Sequence, residues 1–148
     1  MTRKNFTLTS PYREITSADE TKQFTNELFP QGNVLADLAT MNIGHRHVFV
    51  YEQNNEILAF LIFDDHNTYF HIEFVAVNRL IPSGLSAGTK LILLLEELGR
   101  NLKYDNIELY SLEQKISYYE ALGFDDTRIT EIGNYGKMSK MVKSLTSW

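Results

Sequence analysis

The chain has 148 residues, of which 43% are hydrophobic and 22% are charged, a composition typical of one soluble globular domain, here spanning residues 1–148. It contains no cysteine, which excludes disulfides, thiolate nucleophiles and cysteine-based zinc sites. The formal net charge of −5 argues against a nucleic-acid-binding surface and favours a cationic or amine partner.

The N-terminal segment shows no apolar stretch typical of a signal sequence. No unbroken apolar run in the chain approaches the length that a membrane-spanning helix needs. We therefore expect a cytoplasmic protein with no membrane partner.

The first half of the chain predicts a strand, two helices and three antiparallel strands. Pro11 indicates an edge strand with a bend, since proline cannot donate to a sheet ladder. Ser17 and Glu20 form a capping box, and the Asn54-Asn55 pair suits a hairpin turn because asparagine tolerates positive φ. The predicted elements are a strand over 6–15, helices that begin at Ser17 and over 34–41, and strands over 47–53, 56–64 and 68–77.

The second half of the chain predicts a helix–strand–helix run followed by a hairpin. The leucine-rich segment after Gly88 has helical periodicity, and the strand after it completes a parallel β-loop-α-β unit. Ser111 and Gln114 form a second capping box, and Gly123 ends the helix that follows. The predicted elements are a helix over 89–102, a strand over 106–110, a helix after Ser111, and strands over 128–132 and 137–145.

Residues 71–88 combine a predicted strand, a short loop rich in serine and glycine, and the start of a helix. The loop can direct several backbone N–H groups to one point, and the helix adds its first-turn N–H groups and the positive end of its dipole. This arrangement predicts a phosphate site. The alternative is that Gly84 and Gly88 only allow a tight turn. The spacing matches neither a nucleotide P-loop nor a dinucleotide fingerprint.

Two motifs resemble the GCN5-related N-acetyltransferase (GNAT) superfamily. Residues 74–77, followed by 83–91, are similar to the family's Val … Arg/Gln-Gly-x-Gly-x-Gly/Ala-x-x-Leu loop. Residues 118–124 are similar to its Tyr-x-x-x-Gly-Phe ending. The resemblance implies an α/β (α+β) fold. Its sheet is mixed, mostly antiparallel and six- to seven-stranded, with splayed central strands and about four flanking helices.

The resemblance implies an N-acetyltransferase that moves an acetyl group from acetyl-CoA to a primary amine, directly and in a ternary complex. In this family the pantetheine arm of the donor lies between the splayed strands, and its pyrophosphate rests on the loop. Ser83 and Ser86 depart from the family, which usually has Arg or Gln and Gly there. Dimerisation is common among similar proteins, so a homodimer is an open expectation. The implied donor-binding residues are Val75, Ala76, Val77, Ser83, Gly84, Leu85, Ser86, Ala87, Gly88 and Thr89.

The resemblance also implies catalytic residues. Tyr119 is the expected general acid for the departing CoA sulfur, because a positioned phenol can protonate a thiolate. Glu73 is the expected base for the amine, and His71, on the same face of the strand, is the alternative base. Tyr119 could instead be a packed aromatic residue, and His71 and Glu73 could be an exposed polar pair. In some family members water alone accepts the proton.

A metal site and a non-catalytic function are the remaining possibilities. His45 and His47 would share one face of a strand, but no cysteine or nearby carboxylate completes a metal site, so we expect no metal. The altered loop also permits an alternative function, a catalytically weak or inactive GNAT-like module that binds acyl-CoA or a partner. The amine acceptor cannot be identified from these patterns, although the acidic balance favours a cationic one.

Overall fold

The computed structural model describes residues 6–15, 46–78, 86–133 and 136–146. The described part contains seven strands, two α-helices and one short 3-10 helix. The strands are β1 (Tyr12–Ile15), β2 (His47–Gln53), β3 (Glu56–Asp65), β4 (Tyr69–Val77), β5 (Asn106–Leu112), β6 (Asp125–Gly133) and β7 (Gly136–Ser144). The helices are α1 (Ala87–Asn101), the 3-10 helix (Glu113–Lys115) and α2 (Ile116–Ala121).

The seven strands form a mixed sheet in the order β1-β2-β3-β4-β5-β7-β6. Strands β4 and β5 pair in parallel, whereas β1–β2, β2–β3, β5–β7 and β6–β7 pair antiparallel. The predicted mixed, mostly antiparallel fold is therefore confirmed, and β1 lies at a sheet edge as expected. The two helices predicted between residues 17 and 41 lie outside the described residues.

The chain divides into two compact units, Met1–Asp64 with Phe74–Leu95 and Asp65–Glu73 with Glu96–Trp148. We call these the donor-loop unit and the tyrosine unit, after the motifs they contain. The expectation of one domain over residues 1–148 stays a prediction.

The donor-loop unit has a core of aliphatic and aromatic side chains from β1 to β4. The hairpin between β2 and β3 turns through Asn54 and Asn55, which have φ values of 52° and 64°, as the predicted turn requires. Asn78 is buried and ties the end of β4 to β3, since its backbone N–H donates to the Leu58 carbonyl at 2.8 Å. One core cluster consists of Ile15, Val48, Val50, Ile57, Phe60, Ile62 and Ala76.

The tyrosine unit is held together by apolar packing and by one ionic cluster. Gly99 lets α1 approach β7 closely, since a Cβ there would lie 2.5 Å from Leu145 Cδ1. The Lys143 ammonium donates to Glu96 Oε2 and to the Leu122 carbonyl, each at 2.7 Å. Lys143 therefore connects β7 both to α1 and to the residue that follows α2.

The carboxylate of Glu96 is buried and also pairs with Arg100. Burial alone would raise the pKa of Glu96, but the hydrogen bonds and charges of Lys143 and Arg100 outweigh burial and lower it below 4.5. The ionised form of Glu96 thus stabilises the folded unit.

One predicted element is wrong. The capping box at Ser111 does not form, because β5 continues to Leu112 and no side chain caps the 3-10 helix that follows. The reason is the alternating pattern of β5, in which Ile107, Leu109 and Ser111 share the buried face. The Ser111 hydroxyl donates instead to the Leu112 carbonyl at 2.9 Å.

Other boundaries also differ from prediction. Strand β1 covers only Tyr12–Ile15 of the predicted 6–15. Helix α1 begins at Ala87, two residues earlier than expected, and β6 begins at Asp125. The register of β6 against β7 shifts between Asp126 and Thr130, and Arg128 there has a φ of 63°. This bulge interrupts the strand pattern and concealed the first residues of β6.

Candidate active site

The N-terminal end of α1 is the first part of the candidate site. The Lys90 N–H donates to the Ser86 carbonyl at 3.0 Å. The N–H groups of residues 87–89 lie before Lys90, in the first turn of α1. The first turn contains no acidic side chain, and the positive end of the helix dipole therefore keeps its full effect on an anion.

Ser86 adopts an unusual backbone conformation directly before α1. Its φ of 53° lies in the left-handed region, which glycine adopts without steric cost. The family loop has glycine at this position, so the departure noted in the sequence occurs where glycine would be conformationally favoured. A serine at this φ carries local strain that glycine would not.

Gly88 packs the start of α1 directly onto the second half of β4. A Cβ at Gly88 would lie 2.9 Å from Val77 Cγ2 and 3.3 Å from Val75 Cγ1, so any larger residue would push the helix away from the strand. The structure thus brings together predicted donor-binding residues from β4 and from α1. Of the other predicted donor-binding residues, Ser83, Gly84 and Leu85 lie outside the described residues.

The parallel ladder between β4 and β5 is short. It joins Tyr69 to Asn106 and continues to the pair Ile72 and Leu109. Both strands extend beyond this pair, β4 to Val77 and β5 to Leu112. The ladder therefore ends before either strand does, and Glu73 is the first β4 residue after it.

A polar cluster occupies one face of β4, β5 and β7 in the tyrosine unit. His71 Nδ1 lies 2.9 Å from Glu108 Oε1, and His71 Nε2 lies 3.6 Å from Glu73 Oε1. Lys140 Nζ lies 3.3 Å from Glu108 Oε2. The His71 and Tyr110 rings are 5.9 Å apart. We call Glu73, His71, Glu108 and Lys140 the histidine cluster.

The histidine cluster is neither fully buried nor freely solvated. The side chains of His71 and Glu108 are each 16% exposed, and that of Glu73 is 25% exposed. Partial burial strengthens the electrostatic interactions of these groups. Two of the predicted catalytic residues, His71 and Glu73, are therefore adjacent.

Tyr119 is held by the end of its own helix. Its carbonyl accepts hydrogen bonds from the N–H groups of Leu122 and Phe124, at 3.0 and 3.1 Å. Gly123 has a φ of 97°, which confirms the predicted helix end. The Phe124 ring packs edge-on against the Tyr119 ring, with centroids 5.8 Å apart. The Gly-Phe ending thus fixes the tyrosine that precedes it.

The pKa of the Tyr119 hydroxyl is raised above its ordinary value of 10.0. Burial, and to a smaller extent the neighbouring Tyr118, raise the pKa of Tyr119 to about 12. Its hydroxyl therefore keeps its proton throughout the physiological range and can act as a donor. The ring contacts of Tyr119 are with Tyr118 and Phe124, whereas His71 and Glu73 contact each other within the histidine cluster.

Sequence reasoning missed Glu108 and Lys140. The signal for Glu108 is its position in β5, where it shares a strand face with Tyr110, but its contact with His71 depends on the parallel register of β4 and β5. Lys140 reaches Glu108 only through the antiparallel pairing of β5 and β7. Neither pairing can be read from local patterns.

His47, which the sequence analysis considered as a metal ligand, has a structural role. His47 is buried in β2, where its Nδ1 lies 2.5 Å from Glu14 Oε2 and its ring stacks on Phe63. Across residues 6–15, 46–78, 86–133 and 136–146, no group of three or more potential metal ligands occurs. In the same ranges, no helix is long and apolar enough to cross a membrane.

The family model described as "Acetyltransferase (GNAT) family" matches residues 10–124 of the chain. The chain belongs to this family. The match includes β4, the start of α1 and the Tyr119–Gly123–Phe124 ending, which are the parts that carry the sequence motifs. A comparison with curated protein sequences finds no significant match.

Solved GNAT structures share the fold at low sequence identity. The aminoglycoside 6'-N-acetyltransferase from Enterococcus faecium is 13% identical, with a TM-score of 0.70 over 93% of this chain and 98% of that one. An aminoglycoside 6'-N-acetyltransferase complexed with coenzyme A is 14% identical, with a TM-score of 0.69 and the same coverage. The ribosomal-protein-S18-alanine N-acetyltransferase from Escherichia coli is 18% identical, with a TM-score of 0.68 over 93% and 96%. The two named activities have different acceptors, so the shared fold leaves the acceptor open.

Proposed function

We propose that this protein is an acyl-CoA-dependent N-acetyltransferase that moves an acetyl group from acetyl-CoA to a primary amine. The observation that carries this proposal is the start of α1, packed onto β4 through Gly88. It offers an anion site in the position of the family's donor loop, in a chain that belongs to the GNAT family.

The donor would be held mainly by backbone groups. The first-turn N–H groups of α1 would bind the diphosphate of acetyl-CoA, and the Ser86 hydroxyl could donate one more hydrogen bond. The backbone of residues 75–77 would pair with the pantetheine arm, as a peptide strand pairs with a sheet edge. An N–H group there would polarise the thioester carbonyl. A similar structure was solved in complex with coenzyme A, which supports this choice of donor.

Transfer would be direct, without an acyl-enzyme. The chain has no cysteine, so the thiol nucleophile that would most readily accept an acyl group from a thioester is missing. Donor and amine would therefore bind together in a ternary complex. The amine nitrogen would attack the thioester carbon, and the carbon–sulfur bond would break as the sulfur leaves.

Proton transfer would fall to Tyr119, Glu73 and His71. An ammonium acceptor has to lose two protons to become an amide, one of which ends on the CoA sulfur while the other passes to solvent. Tyr119 would donate to the departing sulfur. Because its pKa is about 12, the phenol is a weaker acid than an ordinary thiol. Full transfer is then favoured when the phenolate recovers a proton within the same step.

The acceptor would be a cationic primary amine. The net charge is −5, and two carboxylates of the histidine cluster face the same small region as one lysine. These charges favour an ammonium ion over an anionic or neutral acceptor. A homodimer and a cytoplasmic location stay predictions, which light scattering and cell fractionation would measure.

The first test is calorimetric titration of acetyl-CoA into the purified protein. We expect saturable binding at micromolar concentration, followed by thiol release when primary amines are added to the complex. Polyamines, aminoglycosides, lysine and peptides with a free N-terminus form a suitable acceptor panel. No binding of acetyl-CoA up to millimolar concentration would refute the proposal.

The second candidate is an acyl-CoA-binding or partner-binding module with little or no catalysis. It is favoured by Ser86, whose left-handed backbone is strained where the family has glycine. The two functions differ in their response to Tyr119→Phe. The variant of an enzyme would bind acetyl-CoA normally and lose turnover, whereas a binding module has no turnover to lose.

A further inference from the structure

We propose that Glu108 is a positioning residue, which fixes His71 as the proton acceptor for the incoming ammonium. In this arrangement Glu73 holds the same ammonium beside His71. The inference rests on the proposed acetyltransferase function and deepens it, since it assigns the base and a residue outside both family motifs. It derives from contacts among β4, β5 and β7 within the tyrosine unit.

The hydrogen-bonding partners of Glu108 determine which ring nitrogen of His71 carries the proton. Glu108 pairs as a carboxylate with the ammonium of Lys140, which lies 3.3 Å from Oε2. A carboxylate can only accept hydrogen bonds, so His71 Nδ1, at 2.9 Å from Oε1, has to donate. The neutral ring then has its lone pair on Nε2.

Glu73 lies next to the nitrogen that carries this lone pair. Nε2 of His71 and Oε1 of Glu73 are 3.6 Å apart, and both are acceptors when the ring is neutral. Two acceptors at this separation do not bond to each other, but one donor group can contact both. An ammonium has three N–H donors and a positive charge, which suit a base beside a carboxylate.

The charges around His71 also favour a cation. Among the described residues, Glu73 on β4 and Glu108 on β5 contact His71, Lys140 on β7 contacts Glu108, and the Tyr110 ring lies 5.9 Å away. A carboxylate on each side of the ring favours an ammonium ion over an anion there. Glu108 then stabilises the imidazolium that forms.

The proton balance is complete. One N–H bond of the ammonium breaks, and its proton binds His71 Nε2, which leaves a neutral amine whose lone pair attacks the thioester carbon. A carbon–nitrogen bond forms, the carbon–sulfur bond breaks, and the electron pair leaves with sulfur. The second proton lost by nitrogen compensates the proton that sulfur gains, and the His71 imidazolium releases its proton to solvent.

The test uses Glu108→Gln with two readouts on the full-length protein. The first is the ¹⁵N spectrum of the imidazoles, in which His71 is assigned by comparison with His71→Asn among four histidines. We expect the Nδ1–H form in the wild-type protein and a loss of that preference in Glu108→Gln. The second readout is steady-state kinetics, in which kcat should fall about 100-fold while the affinity for acetyl-CoA is unchanged.

Glu113→Gln is the matched control. Glu113 also pairs with a lysine, Lys137 at 3.9 Å, but both side chains are more than half exposed. The control removes the same charge from the same unit without touching His71. We expect wild-type kcat and an unchanged His71 tautomer.

The outcomes separate this inference from the proposed function. An Nε2–H form of His71 in the wild-type protein, or a Glu108→Gln variant with full kcat, would overturn the inference while amine acetylation stands. A loss of melting temperature in Glu108→Gln with unchanged tautomer and kcat would also overturn it, since the role would then be structural. If no amine is acetylated, the proposed function fails, and the tautomer of His71 still decides whether Glu108 orients the ring.

Discussion

The two units of this chain differ in the kind of group that their candidate residues offer. In the donor-loop unit, the start of α1 depends on backbone and on small residues, since Gly88 packs against Val75 and Val77 without a side chain. In the tyrosine unit, the site depends on side chains, namely Tyr119 and the histidine cluster. Binding of a large cofactor through N–H groups tolerates changes of side chain, whereas proton transfer requires particular groups at particular distances.

This difference predicts which departures from the family motifs would be tolerated. Ser86 replaces a family glycine, yet every residue except proline still supplies a backbone N–H. Loss of the Tyr119 hydroxyl has no such substitute. Four predictions follow this comparison from the largest expected effect to the smallest. Three test whether donor binding depends on backbone and catalysis on side chains, and one tests the ion pairs that support the tyrosine unit.

Tyr119→Phe tests most directly whether catalysis depends on a side chain. We expect kcat to fall about 10²- to 10³-fold, because the sulfur loses its proton donor, while calorimetry gives an unchanged dissociation constant for acetyl-CoA. Tyr118→Phe is the control, since Tyr118 is the adjacent tyrosine and is 37% exposed. Equal effects of the two substitutions on kcat would contradict an acid role for Tyr119.

Gly88→Ala tests whether donor binding depends on the backbone at the start of α1. The new Cβ would lie 2.9 Å from Val77 Cγ2, so we expect a loss of about 1–3 kcal/mol of unfolding free energy and weaker acetyl-CoA binding. The added substitution Val77→Ala removes that contact and should restore part of both losses. If Gly88→Ala binds acetyl-CoA normally, the start of α1 is not the donor site.

Glu96→Gln tests the ion pairs that support the tyrosine unit. The pKa of Glu96 is lowered in the folded state, so its stabilising effect is present above the unfolded value near 4.5 and is lost as pH falls through the folded value. We expect Glu96→Gln to be less stable than wild type by about 1–2 kcal/mol at pH 7. The difference should shrink below pH 4.5.

The measurement for Glu96→Gln is urea unfolding at pH 7 and at pH 3. Glu97→Gln is the matched control, because Glu97 is the adjacent glutamate on α1 and is exposed. It should match wild type at both values of pH. A stability difference for Glu96→Gln that is the same at pH 3 and pH 7 would show that the carboxylate charge contributes nothing.

Ser86→Gly should have the smallest effect. Glycine adopts the φ of 53° without strain, so we expect a gain of up to about 1 kcal/mol in unfolding free energy and equal or tighter acetyl-CoA binding. Ser86→Ala keeps the strain and removes the hydroxyl. If both variants bind acetyl-CoA more weakly than wild type, the Ser86 hydroxyl contributes to donor binding and the backbone alone does not account for it.

Sequence reasoning was most successful where the signal is local. The Asn54-Asn55 turn and the helix end at Gly123 are each confirmed, since each depends on the φ preference of one or two residues. The same local reasoning misplaced Ser111. Its capping pattern competes with the alternating burial of β5, and the buried face of the strand prevails because packing outweighs a single cap.

The order of the amino acids alone was enough to establish the GNAT family, the mixed sheet, the packing of α1 and the position of Tyr119 before Gly123 and Phe124. These features follow from spacing within one element or between neighbouring elements. The histidine cluster required the tertiary structure. His71, Glu108 and Lys140 lie on three strands, and their contacts exist only because the parallel and antiparallel registers align them. Register between distant strands is determined by packing of the whole sheet, which no local pattern contains.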